Sequence, residues 1–203
     1  MPPIPINNEL FENIKTGAAA KDAVKNYLAN GAAEILKLHQ SGQRGWNVCK
    51  AYTSLIDVLL VSIFTAKAET IKSGGALALV ALGGYGRSEL NVRSDIDLML
   101  LYGKTLTPEM ERLTQEMLYI LWDTGLDIGF CIRTIDECVK LSKDDIKTST
   151  ALLDSRLLLG DASLFELLNQ TVRKKLFSKK EAVKFINEKA EETRLRHSKF
   201  GGS

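Results

Sequence analysis

The chain has 203 residues, 45% of them apolar and 26% charged, a soluble globular composition that excludes fibrous, collagenous and wholly disordered classes. Its 27 lysines and arginines nearly balance 25 aspartates and glutamates, so a net charge of +2 supplies no global field for nucleic acid or an anionic membrane. The length suits one domain with a helical annex or two small ones. Cys49, Cys131 and Cys138 lack C-x-x-C spacing and argue against a disulfide framework or a zinc site. His39 and His197 alone cannot build a histidine metal cluster or a Ser/His hydrolase site. Met1 to Asn8 has no basic start or apolar run of a secretory signal, and the longest apolar stretch, Leu55 to Phe64, contains Asp57 and is about half a membrane span. A cytoplasmic protein without membrane or nucleic-acid partners is expected.

From Asn8 to His39, Leu10, Ile14, Ala18, Val24, Leu28, Ile35 and Leu38 recur at helical spacing, with breaks expected at Gly17 and Gly31. A turn over Ser41 to Gly45 precedes a second helical run, Trp46 to Lys72, ended by Ser73, Gly74 and Gly75. The period then changes. Ala76 to Leu82 is a short apolar run that fits a strand buried on both faces. Asp95 to Tyr102 is again strand-like, Thr107 and Pro108 open a helix reaching about Trp122, and Leu126 to Arg133 alternates as a third strand. The remainder reads as helix only: one capped by Thr134 with Glu137, one started by Thr148 or Ser149 and stopped by Gly160, one capped by Asp161, and a last one from Lys179 to about Lys199 behind Ser178 and Glu181. The plan is a helical region over 1–75, a core over 76–134 and a second helical region over 135–203. The fold class is α+β, with a small mixed sheet flanked by N- and C-terminal helices.

Chemistry concentrates in Leu82 to Leu98, LGGYGRSELNVRSDIDL. Asp95 and Asp97, two apart on a strand, project from one face with Cα atoms about 6.5–7 Å apart. Two adjacent carboxylates repel unless a cation lies between them, and Mg²⁺ takes a few carboxylate oxygens while keeping positions for phosphate and water. Just ahead, Gly83, Gly84 and Gly86 form a turn whose amides can approach a phosphate unhindered. Arg87 on the same turn could steady a triphosphate or pair with Glu89 or another acid, and Ser88 could add a hydroxyl donor. Neither G-x-G-x-x-G nor a Walker sequence is present, so dinucleotide and P-loop chemistry are not supported.

Gly83-Gly84 followed by Asp95-Ile96-Asp97 resembles the signature of the DNA polymerase β-like nucleotidyltransferase superfamily. The fuller string GGYGRSEL…SDIDL, with LWDTGLDIGFCIRT, TALLDSRLLLGD and Arg196-His197, looks like the nucleotidyltransferase domain of the PII uridylyltransferase/uridylyl-removing family. The resemblance implies Mg²⁺-dependent transfer of UMP from UTP to a tyrosine hydroxyl of the signalling protein PII, with pyrophosphate leaving. It also implies a third carboxylate on a later strand, for which Asp127 is the choice and Asp123 the alternative. On this reading Gly83 and Gly84 hold phosphate, Arg87 and Ser88 are secondary contacts, and Asp95, Asp97 and Asp127 hold the metal, Asp127 alternatively serving as base. The family's histidine near the Phe130 and Cys131 positions is absent here. Its phosphohydrolase and ACT domains are not in this sequence either, which suggests an excised fragment. Another nucleotide or acceptor, as in an adenylyltransferase, and a non-catalytic regulatory domain of the same fold are the rival readings.

The other conspicuous residues read as structural. Arg173, Lys174, Lys175, Lys179 and Lys180 are balanced by later glutamates and suit a solvated helix face. Arg133 and His197 are expected to be structural, Cys131 and Cys138 to be buried small apolar groups, and Trp46, Tyr52 and Trp122 to pack in a core or between domains.

Overall fold

A computed structural model of the chain describes residues 4–17, 19–71, 75–122, 124–176 and 179–200. Helix α1 (Asn8–Thr16) starts where Asn7 accepts a hydrogen bond from the Leu10 amide and ends at Gly17, whose φ of 75° closes the last turn. Of the two expected breaks only this one occurs. Helix α2 (Ala20–Gln40) runs straight through Gly31, where any side chain would run into Leu55, so that glycine serves close helix packing. Its neighbour α3 (Gly45–Ile71) buries Ile56, Leu59, Leu60 and Ile63. Among the described residues, Gly45–Glu69 of α3 is long and apolar enough to cross a bilayer, longer than the half-span expected. More than half of that stretch is buried inside the fold, where α3 packs against α1, α2 and α5 (Pro108–Trp122).

Four strands form the sheet: β1 (Leu77–Ala81), β2 (Ile96–Tyr102), β3 (Ile128–Arg133) and β4 (Arg156–Gly160), in the order β3-β2-β1-β4. β1 is antiparallel to both β2 and β4, and β3 is parallel to β2, so the sheet is mixed and the chain α+β. Period-two alternation covers both faces. Leu79, Ala81, Leu98 and Leu100 pack toward α1, α3 and α5. Ala78, Val80, Met99 and Leu101 pack on the other side with Cys138, Leu152, Leu168 and Val172, from α6 (Ile135–Asp144), α7 (Ile146–Leu153) and α8 (Ala162–Leu176).

β4 corrects the helix-only reading of the C-terminal part. Its Arg-Leu-Leu-Leu-Gly has no β-branched or aromatic residue, and what makes it a strand is pairing along the free edge of β1. Gly160, at φ 108°, must be glycine because a side chain would collide with the Leu77 carbonyl. The preceding helix is likewise corrected: Asp145 caps it, accepting from the Lys147 and Thr148 amides, and α7 ends at Leu153. The caps at Thr107, Thr134 and Asp161 are as expected, Thr134 and Glu137 forming a full capping box. The last helix, α9, spans Lys179–Phe200; the expected cap at Ser178 and the stops at Ser73 and Gly74 lie outside the described residues. Trp46 and Trp122 are exposed rather than packed, and Trp46 lies under the Lys50 ammonium at 3.7 Å. Tyr52 is buried, as expected.

Candidate functional site

The glycine turn is itself a short helix. Gly83–Gly86 form the single-turn α4 directly after β1. The Leu82 amide donates to the Asp97 carbonyl at 3.0 Å, tying the start of this turn to β2. Gly83 takes φ 56°, and Gly86 lies so close to the Asp154 carbonyl that a Cβ there would overlap it. Tyr85, 1% exposed, points beneath the turn and its hydroxyl donates to Asp57 Oδ1 at 2.7 Å. Burial, then the Asp57 charge, holds that phenol well above its usual pKa, so it stays a donor. Arg156 of β4 forks onto the same carboxylate at 2.9 and 3.0 Å and donates to the Gly86 and Tyr85 carbonyls, both at 3.3 Å. Three separate elements thereby fix the position of α4. Sequence reasoning missed this lock. Its signal was Asp57 in an apolar run, since a charge placed there requires a buried partner.

Asp95 sits in the turn immediately before β2, and Asp97 is the second residue of the strand. The Asp97 carboxylate spreads between two glycines. Its Oδ2 lies 3.6 Å from where a Cβ of Gly83 would stand, and its Oδ1 lies 2.7 Å from the corresponding point on Gly129, paired opposite it on β3. A side chain at Gly129 would displace that carboxylate, so Gly129 belongs to the site, although no motif or spacing singles it out. Loss of water contact and then the neighbouring Asp95 charge raise the Asp97 pKa. Among the described residues no lysine or arginine pairs with either carboxylate. Two unpaired, mutually repelling carboxylates are a donor set that fits Mg²⁺, which binds through one or two carboxylates plus phosphate oxygens.

The remaining candidates are placed differently. Asp127 is exposed just before β3, its carbonyl accepting from the Ile96 amide at 2.8 Å. Strand alternation puts it on the face of Gly129 and Asp97. No group of three His, Cys, Asp or Glu gathers as a metal cluster among the described residues. Asp123 lies outside them. Arg87 is held by Glu89 at 3.0 Å and by Asp154 at 2.5 Å, the ion-pair alternative of the sequence reading. Ser88 adopts φ 62°, closing α4 with its amide on the Tyr85 carbonyl.

Two cavities meet at Asp97. One, of about 390 Å³, is bordered by Gly84, Asn91, Ser94 and Asp95. The other, of about 330 Å³, lies over β3 under α7 and is bordered by Gly129, Cys131, Arg133, Lys147 and Thr148. Cys131 is therefore partly open, not a buried filler; burial raises its thiol pKa while nearby Arg133 opposes the rise. Arg133, read as structural, faces this cavity and makes no salt bridge or side-chain hydrogen bond among the described residues.

No protein-family model matches the chain. Three curated proteins, each named a bifunctional uridylyltransferase/uridylyl-removing enzyme, are similar to it. That of Azospirillum brasilense is 40% identical over 150 residues, 74% of this chain and 16% of that protein. That of Phenylobacterium zucineum (strain HLK1) is 35% identical over 193 residues, 91% of this chain and 20% of that protein. That of Caulobacter vibrioides (strain NA1000 / CB15N) is 40% identical over 194 residues, 92% of this chain and 20% of that protein. The chain thus spans a fifth or less of the length of these relatives.

Proposed function

Because this chain corresponds to one domain of the bifunctional uridylyltransferase/uridylyl-removing enzymes, we propose that it is their nucleotidyltransferase, moving UMP from UTP to a tyrosine hydroxyl of PII and releasing pyrophosphate, in the cytoplasm. The single observation that carries the reading is the Asp95–Asp97 couple, which no cation pairs with among the described residues, set against a glycine turn that a buried ion pair holds in place. Carboxylates placed for stability alone would be paired with a cation, and among the described residues neither is.

In this scheme Asp95 and Asp97 are the residues that hold Mg²⁺, which when bound neutralises triphosphate charge. Gly83 and Gly84 let phosphate oxygens approach backbone amides without a Cβ in the way. Asp127, on the same sheet face, is the carboxylate available to take the proton of the acceptor hydroxyl or to join the metal site. Arg87 acts chiefly through its ion pairs with Glu89 and Asp154, which brace α4, and reaches phosphate only by giving one of them up. Ser88 contributes the left-handed turn that ends α4, with its hydroxyl as a secondary contact.

The test is transfer of label from [α-³²P]UTP to purified PII by the wild-type chain and by Asp97→Asn. The expected loss is on the order of 10² or more, because removing a metal ligand removes stabilisation of the transition-state charge. Equal labelling by the two proteins refutes the assignment. Labelling from ATP in place of UTP would keep the chemistry and move the chain to the adenylyltransferase reading.

A further inference from the structure

We infer that the cavity over β3 is the acceptor pocket, taking a phenolic side chain and the acidic chain around it, while the triphosphate lies in the cavity on the other side of Asp97. The inference rests on the nucleotidyltransferase reading above and assigns the two halves of that site.

The geometry leads there through Asp97, the residue that borders both cavities. Phosphoryl-group transfer proceeds roughly in line, so the attacking oxygen and the leaving pyrophosphate occupy opposite sides of the α-phosphorus. Gly84, Asn91 and Ser94 border the larger cavity with the carboxylates of Glu89, Asp95 and Asp97, the last two being the proposed holders of the Mg²⁺ that would accompany the phosphate chain and the departing pyrophosphate. The hydroxyl must then enter from the β3 side. There the phenolic oxygen forms its bond to the α-phosphorus, the bond from that phosphorus to the bridging oxygen breaks, pyrophosphate carries away the electron pair, and the phenolic proton passes to Asp127 or, where Asp127 joins the metal site, to water.

The lining of the β3 cavity matches such a guest. Leu82, Leu98, Phe130 and Leu152 supply apolar walls for a ring. Arg133 and Lys147 stand at the same cavity, and neither forms a salt bridge or side-chain hydrogen bond among the described residues. Asp145, the acid beside Lys147, is occupied by the Lys147 and Thr148 amides and the Thr148 hydroxyl. Two cations around an apolar recess, each with an acid nearby (Glu137 for Arg133, Asp145 for Lys147) but neither in a salt bridge among the described residues, fit an aromatic residue set among carboxylates, and Arg is well suited to grip a carboxylate with two parallel hydrogen bonds.

Cys131 gives a readout that does not depend on turnover, because it borders this cavity whereas Cys49, equally part-exposed on α3, does not. Alkylation by N-ethylmaleimide is followed by mass spectrometry at both cysteines. PII at about ten times its Kd is expected to slow modification of Cys131 roughly tenfold and leave Cys49 unchanged, whereas inorganic tripolyphosphate and MgUTP are expected to protect neither. In steady-state assays Arg133→Met and Lys147→Met are expected to raise KM for PII by about tenfold, with KM for UTP within about twofold of wild type. Protection of Cys131 by tripolyphosphate or UTP, or a rise in KM for UTP instead of PII, places phosphate in this cavity and overturns the inference. A chain that labels PII yet shows no acceptor protection of Cys131 also overturns it and leaves the transferase reading standing. A chain that transfers label from no nucleotide defeats that underlying reading, and the inference with it.

Discussion

Two groups of charges lie on either side of the short helix α4, and they are built on opposite principles. Beneath it, Asp57, Tyr85 and Arg156 form a closed set: the buried carboxylate receives two guanidinium hydrogen bonds and a phenol, and Arg156 donates two more hydrogen bonds, to the Gly86 and Tyr85 carbonyls. Above it, Asp95 and Asp97 form an open set, with no described cation and with the Asp97 pKa raised by desolvation and by its neighbour. Both sets are costly to keep in a protein. The closed one recovers the cost within the fold and fixes geometry, whereas the open one leaves its cost to be offset by a ligand.

Breaking the closed set has the largest effect. Arg156→Met strands the buried Asp57 charge and is expected to cost about 3–5 kcal/mol, a fall of roughly 6–20 °C in Tm for a chain of this size, measured by calorimetry. Adding Asp57→Asn to that variant removes the stranded charge and recovers part of the loss. Tyr85→Phe keeps the ring and deletes one hydrogen bond to a carboxylate, a loss of about 1.5–3 kcal/mol by urea denaturation. A smaller effect of opposite sign is expected in the open set. A raised pKa means that the folded chain binds the Asp97 proton more tightly than the unfolded chain does. Ionised Asp97 therefore lowers stability once pH exceeds the folded pKa, and the penalty disappears as pH falls below the unfolded value. Asp97→Asn should accordingly raise the metal-free Tm at neutral pH while abolishing transfer; a fall in Tm would show that the carboxylate is already satisfied within the fold.

The comparison also explains what was legible in the sequence. The open set was readable because its members are neighbours: Gly83, Gly84, Asp95 and Asp97 fall within fifteen consecutive residues, although β2 starts at Ile96, so Asp95 stands just before the strand on which it was expected. The closed set joins residues 28 to 99 positions apart, so only the tertiary fold reveals it. β4 was hidden for a related reason. Its leucines carry no strand preference of their own, and the edge of β1 together with the Arg156 lock decides their conformation. Gly129 was invisible because its role is to have no side chain where Asp97 crosses it. The caps at Thr107, Thr134 and Asp161 were read correctly because each is satisfied within three residues.

The central claim, that Asp95 and Asp97 are left unpaired in order to hold a divalent cation with a nucleotide, is tested most directly by electron paramagnetic resonance of Mn²⁺ added to the chain with the α,β-methylene analogue of UTP. Bound Mn²⁺ in the wild-type chain, weakened at least about tenfold in Asp97→Asn, is the expected result, since a first metal ligand has been lost. Equal Mn²⁺ affinity in the two proteins would contradict the account.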